Sequence, residues 1–251
     1  MTTPTVSVPL AVLKSEARLL RREPASIFWI AVFPTLLLVV LGLIPAFRDP
    51  SPALGGRRTI DLYVPVSVLL ALIISGLQAM PQVISAYRER GILRRMATTP
   101  IRPAALLTAQ IALHGAVALG SAALVVAVGR IAFDVPLPGR PLGYLLALAL
   151  AALAALALGS TIAALTRTTR ICAAVSSVVF FPTMFTAGVW LPVQQMPALL
   201  QRVVEVAPFG AAAQALSRAS AGDWPGWMHL GVLAAWAIVL LGAAARWFRW
   251  E

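Results

Sequence analysis

Charge is scarce in this chain. Only 12% of its 251 residues are Asp, Glu, Lys or Arg, about half the share of a soluble domain. Lysine is nearly missing as well, with Lys14 the one example among 20 basic residues. No Gly-Lys dipeptide occurs, so no Gly-rich loop ends in the lysine that reaches a nucleotide's phosphates, and ATP hydrolysis by this polypeptide is not expected. Cys172 stands alone, which rules out an internal disulfide. One cysteine and 2 histidines do not build a His/Cys metal site, and neither HExxH nor a paired CxxC is present. Serine and histidine occur without a GxSxG elbow. No cofactor is expected, and the chain is not expected to be an enzyme.

What fills the space is hydrocarbon. Apolar residues make up 60% of the sequence, and the mean hydropathy is +0.87. A globular core cannot hide such an excess, because even a large domain exposes much of its surface. The excess must face lipid. A bilayer core of about 30 Å takes roughly 20 apolar helical residues to cross. Six segments meet that length: Ile27–Phe47, Leu62–Ala86, Ala104–Val128, Leu142–Leu165, Ile171–Trp190 and Trp227–Ala245. The runs are continuous rather than alternating, and about twice the length of a barrel strand. With no water at mid-bilayer the backbone must satisfy itself, which leaves helices. The expected fold is therefore an all-α integral membrane protein with six transmembrane helices, forming one transmembrane domain over 1–251.

The net charge of +11 would suit nucleic acid if it formed a stripe. Instead the basic residues fall between apolar runs, which is the pattern of membrane orientation. One side holds Lys14, Arg18, Arg21, Arg22, Arg88, Arg90, Arg94, Arg95, Arg102, Arg167, Arg170, Arg246 and Arg249; the other holds Arg48, Arg57, Arg58, Arg130, Arg140, Arg202 and Arg218. The richer side is expected in the cytoplasm with both termini, as an even number of spans requires. Residues 1–26 are basic and lack the apolar core of a cleaved signal peptide. The expected location is the cell membrane, plasma or inner.

Three stretches outside the spans carry information. In Leu10–Arg22, Leu10, Leu13, Ala17 and Leu20 share one helical face and Lys14, Arg18 and Arg21 another. That spacing predicts an amphipathic helix lying in the interface against membrane lipid, the alternative being a basic flank without further role. Tyr87–Pro103 is the most charged window: it continues the second helix, breaks at Thr98-Thr99-Pro100 and restarts near Pro103. Glu89 has no basic residue at i+3 or i+4, so it is either solvated, paired with the amino-terminal arginines, or paired with another protein. Leu191–Gly226 predicts two short apolar helices, Pro197–Val206 and Phe209–Ser220, re-entrant on the extracellular side between spans five and six and bracketed by Trp190, Trp224 and Trp227.

The spans themselves hold almost no ionisable group. His114 is the one placed deep, and intramembrane charges often mark ion or proton routes. Gln78, Gln110, His114, Ser176 and Ser177 either line a pathway or join helices. Gly159 with Ala163, and Ala155 with Gly159, are ordinary small-xxx-small pairs. Pro34, Pro65, Pro81 and Pro182 lie within or near the span ends and are hinge candidates. With neither a charge relay nor an ATP site, transport would need an engine docking on the cytoplasmic face.

The run AYRERGILRRMATTPIRPAALLTAQ resembles the signature that follows the second span in ABC type-2 transporter permeases. Glu89, Arg90, Gly91, Leu93, Arg94, Arg95, Thr99 and Pro100 match it in order. Pro182, Gly188, Leu191-Pro192, Met196-Pro197 and Pro208-Phe209 resemble the family's fifth helix and outer helices, although Ala187-Gly188 replaces a frequent Ser-Gly and Trp190 a frequent Phe. The resemblance implies the permease subunit of an ATP-driven exporter of a hydrophobic drug-, antibiotic- or lipid-like molecule, with efflux and antibiotic resistance as its setting. It implies a pair of permease subunits, taken as a homodimer, above two copies of a separate ABC ATPase subunit, and no nucleic acid. Residues 87–100 would be the helix that couples to the ATPase, with Arg88 joining the matched residues. Two other readings stay open: a proton-coupled secondary transporter using His114, and a permease for polysaccharide or lipid-linked glycan export.

Overall fold

The computed structural model describes residues 8–54, 56–96, 98, 103–193 and 196–247. Among these residues the regular structure is helical, apart from one isolated antiparallel bridge between Pro50 and Arg58. We label the helices α1 (Val8–Leu20), α2 (Pro24–Gly42), α3 (Thr59–Glu89), α4 (Ile92–Met96), α5 (Pro103–Phe133), α6 (Pro141–Leu165), α7 (Thr169–Thr186), α8 (Ala198–Val206), α9 (Pro208–Ser220) and α10 (Trp227–Trp247). Six of them, α2, α3, α5, α6, α7 and α10, are long and apolar enough to cross a membrane. Six crossings put α1, α4, the α6–α7 turn and the end of α10 at one end of the bundle, here the terminal end. Helices α8 and α9 lie at the far end.

The helix ends follow local chemistry. The first span stops at Gly42, short of the expected Phe47, because Pro45 has no N–H and Ile44 before it is extended (ψ 118°). Helix α7 stops at Thr186, where Gly188 takes φ +80°. The Gly188 N–H then bonds to the Phe185 carbonyl and the Val189 N–H to that of Met184, closing the helix as a left-handed glycine does. Helix α5 runs past the expected Val128 to Phe133 and is closed by a bond from the Val135 N–H to the Gly129 carbonyl.

Helix α3 is the axis of the bundle. Of its most apolar window 94% is buried, against 67% for α6 and 22% for both α2 and α7. Such an axis needs neighbours that come close, and the small residues of α6 provide this. A β-carbon added at Gly159 would sit 1.8 Å from the Gly76 carbonyl oxygen, and one at Gly76 would sit 2.4 Å from that of Ala155. The Ala155–Gly159 pair, ordinary by sequence, thus makes the backbone contact between α3 and α6. Thr161 ties α6 to α10, its hydroxyl donating to the Leu240 carbonyl at 2.9 Å.

Helices α2 and α3 each contain a π-helical turn, Phe28–Val32 and Ile74–Ala79, shortly before Pro34 and Pro81 respectively. Proline removes an N–H from the ladder, and a wider turn accommodates the resulting misfit. Side chains supply donors nearby: Thr35 and Ser121 hydroxyls both donate to the Ala31 carbonyl, each at 3.3 Å.

Candidate functional site

At the terminal end, α3 finishes in two adjacent charges that face different partners. The Arg88 guanidinium donates to the carbonyl oxygens of Ala163 (2.8 Å) and Thr166, in and just beyond the last turn of α6. The Glu89 carboxylate accepts the backbone N–H and the hydroxyl of Thr169, the first residue of α7, both at 2.8 Å. A cation thus caps a helix C-terminus and an anion caps a helix N-terminus, each matched to the local dipole. The three-residue turn Thr166-Arg167-Thr168 between α6 and α7 is gripped from both sides by consecutive residues of α3. The chain itself supplies Glu89 with a partner eighty residues away, which the sequence did not suggest, while the residue stays exposed.

The chain then turns at Gly91, whose φ of +67° belongs to the left-handed region, and α4 begins. Leu93 is fully buried, in an apolar cluster with Val12, Tyr87, Leu106 and Ala109. Arg90, Arg94 and Arg95 are exposed. Thus α4 presents arginines outward from an anchored leucine. Thr99 and Pro100 lie outside the described residues.

Beside this cluster sits an acid that the helical pattern did not single out. Glu16 of α1 is buried and accepts hydrogen bonds from the Tyr87 hydroxyl and from Gln110 Nε2, both at 2.7 Å. Helix α1 therefore packs on α3 and α5 through Val12 and Glu16, with Leu13, Ala17 and Leu20 half-buried beside them and Lys14 and Arg18 exposed. The signal was present: Glu16 is the one acid among Lys14, Arg18, Arg21 and Arg22, and it falls four residues after Val12.

Burial pushes the Glu16 carboxyl above its ordinary value, against the bonds from Tyr87 and Gln110, with nearby Glu23 adding to the rise. The packed state therefore holds the proton to higher pH than the released helix does. The contribution of Glu16 to docking of α1 should be full below the ordinary carboxyl value of 4.5 and be lost as pH rises through the raised one. Glu16→Gln, permanently neutral, should remove that dependence. Hydrogen-exchange protection of residues 8–20, corrected for intrinsic rates at pH 5 and pH 8, reads the difference; equal pH profiles for both proteins would contradict it.

The five polar span residues do not converge. Gln110 bonds Glu16, and its carbonyl is 3.1 Å from His114 Nδ1. His114 is buried, and the Ser75 hydroxyl donates to its carbonyl at 2.9 Å. Ser176 is buried with no hydrogen-bond partner for its hydroxyl among the described residues, while Ser177 is exposed. Gln78 lies elsewhere, in a cavity of about 500 Å³ between α2, α3 and α7.

That cavity has an aromatic lining, Trp29, Phe33, Phe180, Phe181 and Trp190, together with Met184, and Gln78 and Ser26 supply the polar side chains. Trp29, Phe181 and Trp190 are more than half exposed, so the cavity opens on the outside of the bundle. Its residues come from three helices distant in sequence and from the turn after α7, and only Gln78 and Trp190 among them were singled out by the sequence. The π turns of α2 and α3 both contribute, through Trp29 and through Ile74, Gln78 and Ala79.

Residues 10–219 match the sequence profile described as the ABC-2 type transporter. No curated protein matches the chain.

Proposed function

Since this chain belongs to the ABC-2 type transporter family, and so is the multi-pass, membrane-spanning permease of an ABC transporter, we propose that it exports a hydrophobic drug-, antibiotic- or lipid-like molecule. The observation that carries the substrate class is the cavity between α2, α3 and α7. An apolar, aromatic-walled space of about 500 Å³ opening sideways from the bundle suits a molecule that arrives through lipid. A polysaccharide or glycan would need many more hydrogen-bonding groups than Gln78 and Ser26 offer.

In this reading the terminal end faces the cytoplasm of a cell whose plasma or inner membrane holds the protein. Two copies of the chain pair, leaving the cavity mouth at Trp29 and Phe181 open to lipid. Two separate ABC ATPase subunits dock below on α4 and the segment through Thr99 and Pro100. Arg90, Arg94 and Arg95 meet the ATPase; Gly91 sets the bend and Leu93 holds α4 to the bundle. Arg88 and Glu89 pass the movement of α3 to α6 and α7. Helices α8 and α9 close the outer side.

The test is efflux from proteoliposomes holding the permease and its ATPase. ATP should drive export of a lipophilic fluorescent dye, and Trp29→Ala with Phe181→Ala should reduce it about tenfold while ATPase docking persists, since each removes an aromatic contact worth about 0.5–1.5 kcal/mol beyond its buried area. Dye movement that needs no ATP, follows an imposed pH gradient and disappears in His114→Ala would overturn the reading in favour of a proton-coupled carrier.

A further inference from the structure

A second cavity, of about 330 Å³, lies at the far end among α3, α5, α6, α9 and the 134–140 loop. Its polar lining is Arg57, Asp61, Tyr144, Ser217 and Ser220, and its apolar walls include Val64 and Val126. Asp61 is already committed: Arg58 Nη2 lies 2.6 Å from its Oδ1, and Arg58 also donates to the Phe133 and Asp134 carbonyls. Arg57 is exposed, and its side chain has no hydrogen-bond or ion-pair partner among the described residues. The one charge in the lining left uncompensated is therefore positive.

Tyr144 adds an independent observation. It is 5% exposed, and its hydroxyl is buried with no partner among the described residues. A buried hydroxyl left unpaired costs about 1–3 kcal/mol, so such a group persists where something else satisfies it. The depth of the cavity says what kind of molecule would do so. Arg57 precedes the first residue of α3, whereas Val64 lies five residues inside it and Tyr144 three residues beyond the first residue of α6. At 1.5 Å per residue the site straddles the last charged layer and the first roughly 5–8 Å of hydrocarbon.

We propose that this cavity binds an anionic amphiphile, its phosphate or carboxylate on Arg57, an ester or acid oxygen accepting from Tyr144, and its chain against Val64 and Val126. It is separate from the cavity proposed for export, sharing no lining residue with it. Two sources share this chemistry, an anionic phospholipid of the far leaflet and a soluble alkyl anion.

The full chain, purified in a neutral maltoside and stripped of lipid, is titrated with dodecyl phosphate, dodecanol and inorganic phosphate while its thermal unfolding is followed. Dodecyl phosphate should raise the midpoint saturably, and the other two should not. Arg57→Gln, at an exposed position that leaves folding alone, should weaken the apparent affinity by about tenfold or more, the loss of a charge-assisted bond. Tyr144→Phe should weaken it several-fold. Native mass spectrometry from nanodiscs of phosphatidylcholine and phosphatidylglycerol separates the sources. Phosphatidylglycerol retained by the native chain and lost in Arg57→Gln identifies lipid; dodecyl phosphate binding without retained lipid identifies a soluble amphiphile. Equal affinity in the native chain and both variants, or dodecanol binding as well as its phosphate, overturns the proposal.

Discussion

Gly159→Val is expected to abolish accumulation of folded protein in the membrane. The obstacles to a side chain here are backbone atoms, with the Gly76 carbonyl oxygen 1.8 Å from the added β-carbon, so no rotamer change relieves the clash. Relief requires α3 and α6 to separate, and α3 is the most buried helix of the six. Separation would open the apolar core to which Leu69, Ile73, Leu77, Ala151, Ala154 and Ala155 all belong. Overpacking that shifts side chains alone costs about 1–3 kcal/mol; displacing a central helix should exceed roughly 4 kcal/mol, beyond most single substitutions. Gly120 and Gly231 are helical glycines with nothing within 4 Å of an added β-carbon, and alanine there should be neutral or stabilising by up to ~1 kcal/mol. Size-exclusion profiles of detergent extracts compare the three variants directly. A monodisperse Gly159→Val protein at native abundance would contradict the close crossing.

Exchanging the two charges at the end of α3, Arg88→Glu with Glu89→Arg, should uncouple ATP turnover from transport. Each charge then meets the wrong helix end, an anion at the carbonyls that close α6 and a cation at the first N–H of α7. Dipole mismatch is worth about 0.3–1 kcal/mol per charge, and each lost charge-assisted hydrogen bond about 1.5–3 kcal/mol. That suffices to free the α6–α7 turn from α3 without unfolding the bundle, whose apolar core is untouched. Transport per ATP hydrolysed should fall at least about tenfold, with ATPase binding retained. Arg94→Ala with Arg95→Ala should give the opposite split: weaker ATPase binding and normal transport per bound ATPase, because these side chains are exposed on α4. If both pairs of substitutions weaken docking alone, Arg88 and Glu89 have no part in transmission.

The spans were readable from the sequence because lipid demands long continuous apolar runs, and six such runs stand between charged stretches. Helix ends at Gly188 and Pro45 were missed by several residues, since hydropathy continues through them while backbone conformation does not. Residues whose role depends on another helix were harder. Gly159 looked like one small residue among many until Gly76 was opposite it. Glu89 was placed on the right segment, but its partner Thr169 is set by how α6 and α7 turn. Glu16 was obscured because α1 was divided into a leucine face and a basic face, and a buried acid belongs to neither. Of the aromatic cavity only Gln78 and Trp190 stood out in the sequence, since Trp29, Phe33, Phe180 and Phe181 fall inside apolar runs where nothing sets them apart from lipid-facing side chains.

The π turn at Ile74–Ala79 carries one residue more than an α-helical turn would. Its effect on the chain's tolerance of insertions and deletions is specific. Losing a residue inside 74–79 would restore a regular helix and leave Arg88 and Glu89 at their present angular phase. Losing one between Met80 and Tyr87 would rotate both by about 100° around α3, away from the α6–α7 turn. The spare residue is thus a movable unit of phase. If it migrated along α3, the stretch it crossed would rotate by that same step while both helix ends stayed in place.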